Sequence, residues 1–229
     1  KAIRRQRQMC IRDSKSVMSN TASIYVHLDW HIGHYVKILM DEVFGENNFL
    51  NEIIWCYNGP GSPGMKQFNR KHDTIFWYCK DINDYTFNDN SVRIAHNAKT
   101  LENFKRGLVG SGFVSDTYDL NNSGKIPEDW WQFAVASRYP VDGVRRVEYA
   151  TEKPYPLIER IILASSNPND IVADFFGGSG VLATMAHLNK RKFIHTDINI
   201  NSIQTTRDRL LAAKAEFDVM EIKDGVSLY

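Results

Sequence analysis

The stretch Val172-Ala173-Asp174-Phe175-Phe176-Gly177-Gly178-Ser179-Gly180 joins an acid, two aromatics and three glycines within a few positions. The apolar run before it and the periodic segment after it predict a strand that ends in this turn and a helix that opens from it. Glycines at such a junction let the backbone approach a ligand, and amides at a helix start offer donors to a carboxylate or phosphate. Asp197 stands 17 residues after Gly180, at the end of the next apolar run. A carboxylate there can accept both hydroxyls of a ribose. A Gly-rich turn alone is equally a plain tight turn; turn, helix and acid together point to an adenosine-type cofactor. The spacing is not Gly-x-Gly-x-x-Gly, which argues against a dinucleotide, and Asp174 suits an ammonium group better than a pyrophosphate. S-adenosylmethionine, with an amino group, a carboxylate, a sulfonium and a ribose, matches the groups available.

The elements that must place these residues follow from hydrophobic period. Residues 22–29 predict a buried strand ending at Asp29. Over 31–44, Ile32, Tyr35, Val36, Leu39, Met40 and Val43 repeat at helical spacing until Gly45 stops the run. Residues 52–57 and 72–79 predict two further strands, separated by the loop Asn58-Gly59-Pro60-Gly61-Ser62-Pro63-Gly64. Between 80 and 146 aromatic residues such as Tyr85, Phe104 and Phe113 are scattered without a sustained period, which reads as an irregular insertion. Pro154 opens a helix through Leu157, Ile158, Ile161, Ile162 and Leu163. The turn Asn167-Pro168-Asn169-Asp170, a strand over 171–175, a helix over 181–188, a strand over 192–198 and a helix over 202–217 complete a βαβ unit. The expected class is therefore α/β with parallel pairing in the last third.

A chain of 229 residues accommodates one α/β domain with a sizeable insertion and a core that needs neither disulfide nor metal. Its hydrophobic content of 43% excludes a largely disordered chain. No apolar run approaches the ~18 residues of a membrane span. Cys10, Cys56 and Cys79 form no Cys-x-x-Cys pair, so they read as free thiols of a reducing cytosol. The net charge of +1 conceals a basic start, with Lys1, Arg4, Arg5, Arg7, Arg12 and Lys15 against Asp13 alone. Arg4-Arg5-Gln6-Arg7-Gln8-Met9-Cys10-Ile11-Arg12-Asp13-Ser14 reproduces, without a mismatch, the translation of a common transposon-end sequencing adapter. Residues 1–14 therefore read as adapter read-through, with the protein proper expected from Lys15, and their charges are not counted as a nucleic-acid-binding arm.

Asp174-Phe175-Phe176-Gly177-Gly178-Ser179-Gly180 resembles the Asp-Pro-Phe-x-Gly-Ser-Gly cofactor motif of the amino-methylating DNA methyltransferases, and Thr151-Glu152-Lys153-Pro154 resembles their Thr-Gln-Lys-Pro segment. Ser23-Ile24-Tyr25-Val26-His27-Leu28-Asp29-Trp30 is similar to the modification subunit of type III restriction systems. So are residues 49–55 and Lys71-His72-Asp73-Thr74-Ile75-Phe76-Trp77-Tyr78. The resemblance covers residues 15–211 apart from much of the insertion. It implies a Rossmann-like, circularly permuted methyltransferase fold of the β-class. An incomplete catalytic half would span 15–80, a target-recognition insertion 81–149 and a cofactor half 150–229. It also implies that Asp174, Phe176, Gly178, Gly180 and Asp197 bind S-adenosylmethionine, with Lys153 at the methionine carboxylate or, alternatively, holding a surface loop.

The activity implied is methyl transfer to an exocyclic amino group of DNA in a cytoplasmic restriction-modification system. Adenine N6 is the preferred target, with cytosine N4 as the alternative. Double-stranded DNA is the implied partner, with a restriction subunit and a second copy of the chain as further partners, and no membrane. Phe175 stands where the family has proline, and Val181-Leu182 replaces a more polar helix start. The family's catalytic Asp-Pro-Pro-Tyr is expected upstream of Ser23, and no Pro-Pro occurs in this sequence. The expectation is a missing central strand between those near Asp174 and Asp29, and a chain that is inactive as it stands. A non-enzymatic DNA-binding remnant and a nucleotide-dependent oxidoreductase are the competing readings.

His27, His31 and His34 do not share one geometry on a strand and a following helix, so hydrogen-bonded or solvated histidines are expected rather than a metal cluster. Asp29 serves either the pocket or the cap of the following helix. Within the insertion Arg138, Arg145 and Arg146 are the candidate DNA contacts, and Trp130 and Trp131 are expected in the core. Residues 58–153 carry 13 basic and 12 acidic side chains, so no general attraction to phosphate is evident there.

Overall fold

The computed structural model describes residues 2–59, 61, 64–105, 120–135 and 152–221. Its larger sheet is built from β1 (Ser23–Leu28), β2 (Phe49–Cys56), β3 (His72–Cys79) and β4 (Trp130–Gln132), in the order β1-β3-β2-β4. β3 is antiparallel to both neighbours, and β4 runs parallel to β2. The period-2 pattern of β3 decides the layers. Ile75 and Trp77 point to one face, where they meet Ile53, Trp55, Trp131 and Leu157; Phe76 and Tyr78 point to the other, against Val36, Met40 and Phe44.

The second group belongs to α2 (Gly33–Phe44), whose apolar residues recur at helical spacing as expected. Asp41 on this helix accepts hydrogen bonds from the Tyr78 hydroxyl at 2.6 Å and from Lys37 Nζ at 2.7 Å. The helix ends at Gly45, whose positive φ of 89° suits a residue without a side chain. Ahead of it α1 (Ala2–Val17) places Ile11 on the Val36–Met40–Phe44 cluster, and Lys15 Nζ donates to the Val43 carbonyl at 2.9 Å.

A separate two-stranded parallel sheet contains β5 (Ile171–Asp174) and β6 (Lys192–His195). It is covered by α6 (Val181–Leu188), which carries α7 (Ile200–Ala212) on its far side through Ala183 and Leu210. No strand ladder joins β5 to β1 among the described residues, in agreement with the expected gap at that position.

The two sheets are instead coupled by α5 (Tyr155–Ser165), which begins after Pro154 as the sequence predicts. Leu157 enters the core of the larger sheet, while Ile162 enters the core under β5 and β6. Tyr25 on β1 and Ser165 share a 2.7 Å hydrogen bond, and the Asn88 amide donates to the carbonyls of Leu163 and Ser166 at 3.1 and 2.8 Å.

The region expected to be irregular contains two short helices, α3 (Asp89–Val92) and α4 (Ala98–Lys105), besides β4. β4 has only three residues, too few to show alternation in sequence. It also divides the tryptophan pair. Trp131 is buried as expected, whereas Trp130 is 57% exposed, because neighbours on a strand point to opposite faces. The predicted strand over 192–198 stops at His195, since residues from Thr196 onward turn to serve the loop after β5.

Candidate functional site

β5 and β6 run in register, with Asp174 beside His195, so their carboxyl ends open at one place. The turn that follows β5 is held from within. Asp174 Oδ1 accepts the Phe176 amide at 3.0 Å, and the amides of Gly177 and Thr196 donate to the carbonyls of Thr196 and Asp174, each at 3.0 Å. Asp197 ties the second half of the turn: Oδ2 accepts the Gly178 amide at 2.9 Å and Oδ1 the Asn199 amide at 2.8 Å. Burial alone would raise the Asp197 carboxyl. The amides of Asn199 and Gly178 and the Ser202 hydroxyl outweigh it and hold the group below the usual carboxylate range.

Two glycines are demanded by packing. A Cβ on Gly177 would lie 2.1 Å from the His195 imidazole, and one on Gly180, where φ is +75°, would lie 2.3 Å from Thr206 Oγ1. His195 Nε2 and Thr206 Oγ1 are themselves 3.1 Å apart, while His195 Nδ1 is buried without a hydrogen-bond partner among the described residues. Burial lowers the His195 pKa, against the opposing pull of Asp174 and Asp197. Phe176 projects from the lip of the turn, 80% exposed.

Lys153 reaches this place from the segment before α5. That segment is pinned to α7 by a buried ion pair: Arg209 Nη2 donates to Glu152 Oε1 at 2.5 Å, and Arg209 Nη1 donates to the Tyr155 hydroxyl at 3.0 Å. Burial lowers the Lys153 ammonium pKa, and the carboxylates of Asp73 and Asp174 pull it back up. Lys153 thus lies within electrostatic reach of both the end of β5 and the start of β3. Asp73 in turn accepts from His27 Nε2 at 3.0 Å and from the Tyr57 hydroxyl at 3.4 Å. A carboxylate only accepts, so the His27 proton sits on Nε2. The His27 pKa is lowered by burial and then by Lys153, against Asp73 and Asp29.

The structure therefore gathers Asp174, Phe176, Gly178, Gly180 and Asp197 at the carboxyl ends of β5 and β6, and brings Lys153 toward them. Arg138, Arg145 and Arg146 lie outside the described residues. His27 is hydrogen-bonded as expected, and no group able to hold a metal occurs among the described residues. Asp29 Oδ1 accepts the His31 amide at 3.0 Å in a local turn, while the N-cap of α2 is Ile32 with no side-chain cap hydrogen bond, so Asp29 does not cap that helix.

Three pairings escaped sequence reasoning: Gly177 with His195, Glu152 with Arg209, and His27 with Asp73. Each joins residues far apart in the chain, and no local spacing signals it. Only the place of Glu152 beside Lys153 hinted that the first of that ion pair matters.

Comparison with known proteins now has a site to bear on. A model of the DNA methylase family matches residues 6–208, most of the chain. The chain belongs to the N6/N4 DNA methylase family. Among relatives of this chain, DNA adenine methyltransferase YhdJ of Escherichia coli is 30% identical over 200 residues, covering 87% of this chain and 64% of the relative. Type II methyltransferase M.HpaI of Haemophilus parainfluenzae is 29% identical over 206 residues, covering 90% of this chain and 58% of its own. The chain thus spans about three fifths of the length of these relatives.

Solved structures share the fold at lower identity. The M1.HpyAVI–SAM complex aligns with a TM-score of 0.59 at 19% identity, covering 89% of this chain and 81% of that one. PvuII DNA methyltransferase (cytosine-N4-specific) aligns with a TM-score of 0.62 at 15% identity, covering 96% and 72%. The chain therefore has the Rossmann-like α/β fold of these methyltransferase structures.

Proposed function

We propose that this chain is the cofactor-binding and DNA-facing part of a site-specific DNA methyltransferase that uses S-adenosylmethionine and modifies adenine N6. The observation that carries the reading is the charge pattern around the turn after β5. Two carboxylates, Asp174 and Asp197, and one ammonium, Lys153, converge on it. That set matches the ammonium, the ribose hydroxyls and the carboxylate of the cofactor one for one.

Asp197 spends one lone pair of each oxygen on the loop amides, which leaves acceptor capacity for hydroxyls. Asp174 orients the turn through the Phe176 amide and offers its remaining acceptors to an ammonium. Gly177 and Gly180 let the turn pack closely on His195 and Thr206, and the exposed Phe176 offers an apolar ring for a purine to cover. When bound, the cofactor supplies a methyl group activated by its sulfonium. The adenine preference is supported by the name of the Escherichia coli relative; cytosine N4 is the second reading, favoured by the PvuII neighbour. A restriction-modification setting, with a restriction subunit or a second copy as partner, is supported by relatives named as type II methyltransferases.

The family's Asp-Pro-Pro-Tyr loop, which would stack the target base and accept from its amino group, is not contained in these 229 residues. The purified chain is accordingly expected to bind S-adenosylmethionine in calorimetry and to transfer no labelled methyl group to DNA. Binding should weaken at least tenfold in Asp174→Ala, equivalent to about 1.4 kcal/mol. Wild-type affinity in that variant, or tight NAD binding by the parent chain, refutes the assignment.

A further inference from the structure

Trp30 follows β1, and Arg70 precedes β3 by two residues; because Leu28 pairs with Thr74, the two side chains meet at the same sheet end as His27 and Asp73. The Arg70 guanidinium carbon lies 3.9 Å from the centroid of the Trp30 indole, and the His31 ring stacks on Trp30 at 3.5 Å with an interplanar angle of 29°. His31 Nδ1 is in turn 3.4 Å from Asp29 Oδ2, which anchors the column to the end of β1.

Arg70 makes no hydrogen bond or ion pair among the described residues, although its guanidinium sits over Trp30 at a surface where the indole is 48% exposed. A guanidinium so held has lost side-chain freedom in advance and keeps its N–H edges for an external acceptor. The surrounding segment has the matching charge. Residues 58–71 contain Lys66, Arg70 and Lys71 and no acid, within a stretch of 58–153 that is otherwise balanced.

We propose that Arg70, clamped on Trp30, is a phosphate contact for the DNA strand that enters the cleft between β1, β3 and the turn after β5. The inference rests on the reading of the chain as a DNA-modifying protein. It adds Arg70 to the arginines of the insertion as a candidate DNA contact. The acceptor is a phosphodiester, because planar paired donors suit two oxygens of one phosphate. The stack adds no base specificity, so the contact orients the duplex without reading its sequence.

The test is fluorescence anisotropy of a labelled mixed-sequence duplex with the purified 229-residue chain across a series of NaCl concentrations, beside calorimetry with S-adenosylmethionine. Arg70→Gln is expected to weaken DNA binding about three- to tenfold and to reduce the slope of log Kd against log salt by about one. Trp30→Leu should lose part of the affinity by freeing Arg70, and Trp30→Phe should restore it. Cofactor affinity and the urea midpoint should stay at parent values in all three.

Arg70→Gln with unchanged affinity and salt slope overturns the proposal. So does a parallel loss of cofactor and DNA binding, which would make the stack a structural element. A parent chain that binds S-adenosylmethionine but no DNA overturns the clamp and leaves the cofactor reading intact; one that binds neither overturns that reading as well.

Discussion

At the scale of single residues, the turn after β5 owes its shape as much to what lies behind it as to any ligand in front. Gly177 exists because the His195 ring occupies the space of its side chain, so Gly177→Ala must displace a half-buried imidazole. The expected cost is about 1–3 kcal/mol of stability in urea denaturation, the range for overpacking a filled core. Glu152 and Arg209 form the second sensitive point, with side chains only 3% and 6% exposed. Glu152→Ala leaves a buried guanidinium short of its counter-charge, and a loss of about 3–5 kcal/mol is expected in the same measurement. Replacing both by leucine should recover much of that loss, because the penalty comes from the stranded charge.

Two partly desolvated histidines contribute to the pH response. His27 and His195 both have lowered pKa values, for which burial is the leading cause. Unfolded, each protonates near the ordinary value of about 6.5. Below that pH, and down to the folded values, the unfolded chain binds more protons than the folded one. Their contribution is therefore complete above about pH 6.5 and is lost progressively as the pH falls below it. Urea midpoints measured across that window should drop with pH in the parent, and His195→Gln should flatten part of the drop.

At the scale of elements, α5 carries the connection between the two sheets. Its Leu157 side chain is 1% exposed in one core and its Ile162 side chain is 2% exposed in the other. Leu157→Ala is expected to cost about 2–5 kcal/mol and to loosen the link between Lys153 and Asp174, so cofactor affinity should fall with stability. The helix was legible in sequence because Pro154 and five apolar residues at helical spacing mark it. Its double loyalty was not, since a helical period shows that a face is buried without showing against what. The same limit explains β4. Three residues cannot display a period, and β4 is a strand only because β2 offers it a partner edge.

At the scale of the whole molecule, two sheets share a cleft without sharing a strand ladder. β1 and β5, the elements whose carboxyl ends carry Asp29 and Asp174, are not hydrogen-bonded to each other. Coupling across the cleft instead passes through α5 and through the charges of Lys153, Asp73 and Asp174. A ligand that engages Asp174 and Lys153 together would bridge this arrangement. Saturating S-adenosylmethionine should therefore raise the thermal midpoint, by an amount that grows with the logarithm of its concentration. Asp174→Ala should shrink the rise at any given cofactor concentration.

What the amino-acid order determined by itself is local and periodic. It comprises the strands and helices around the glycine turn, the acids Asp174 and Asp197 at or just beyond the strand ends of the βαβ unit, and the α/β class that follows. These depend on short-range period and on backbone demands that few residues meet. Tertiary structure alone decided which distant residues meet. His195 fills the space at Gly177, Arg209 neutralises Glu152, Asp73 holds His27, and Trp30 underlies Arg70. The reason is physical. A contact between residues tens of positions apart has no period to betray it, and burial, which gives such contacts their energy, is a property of the packed chain.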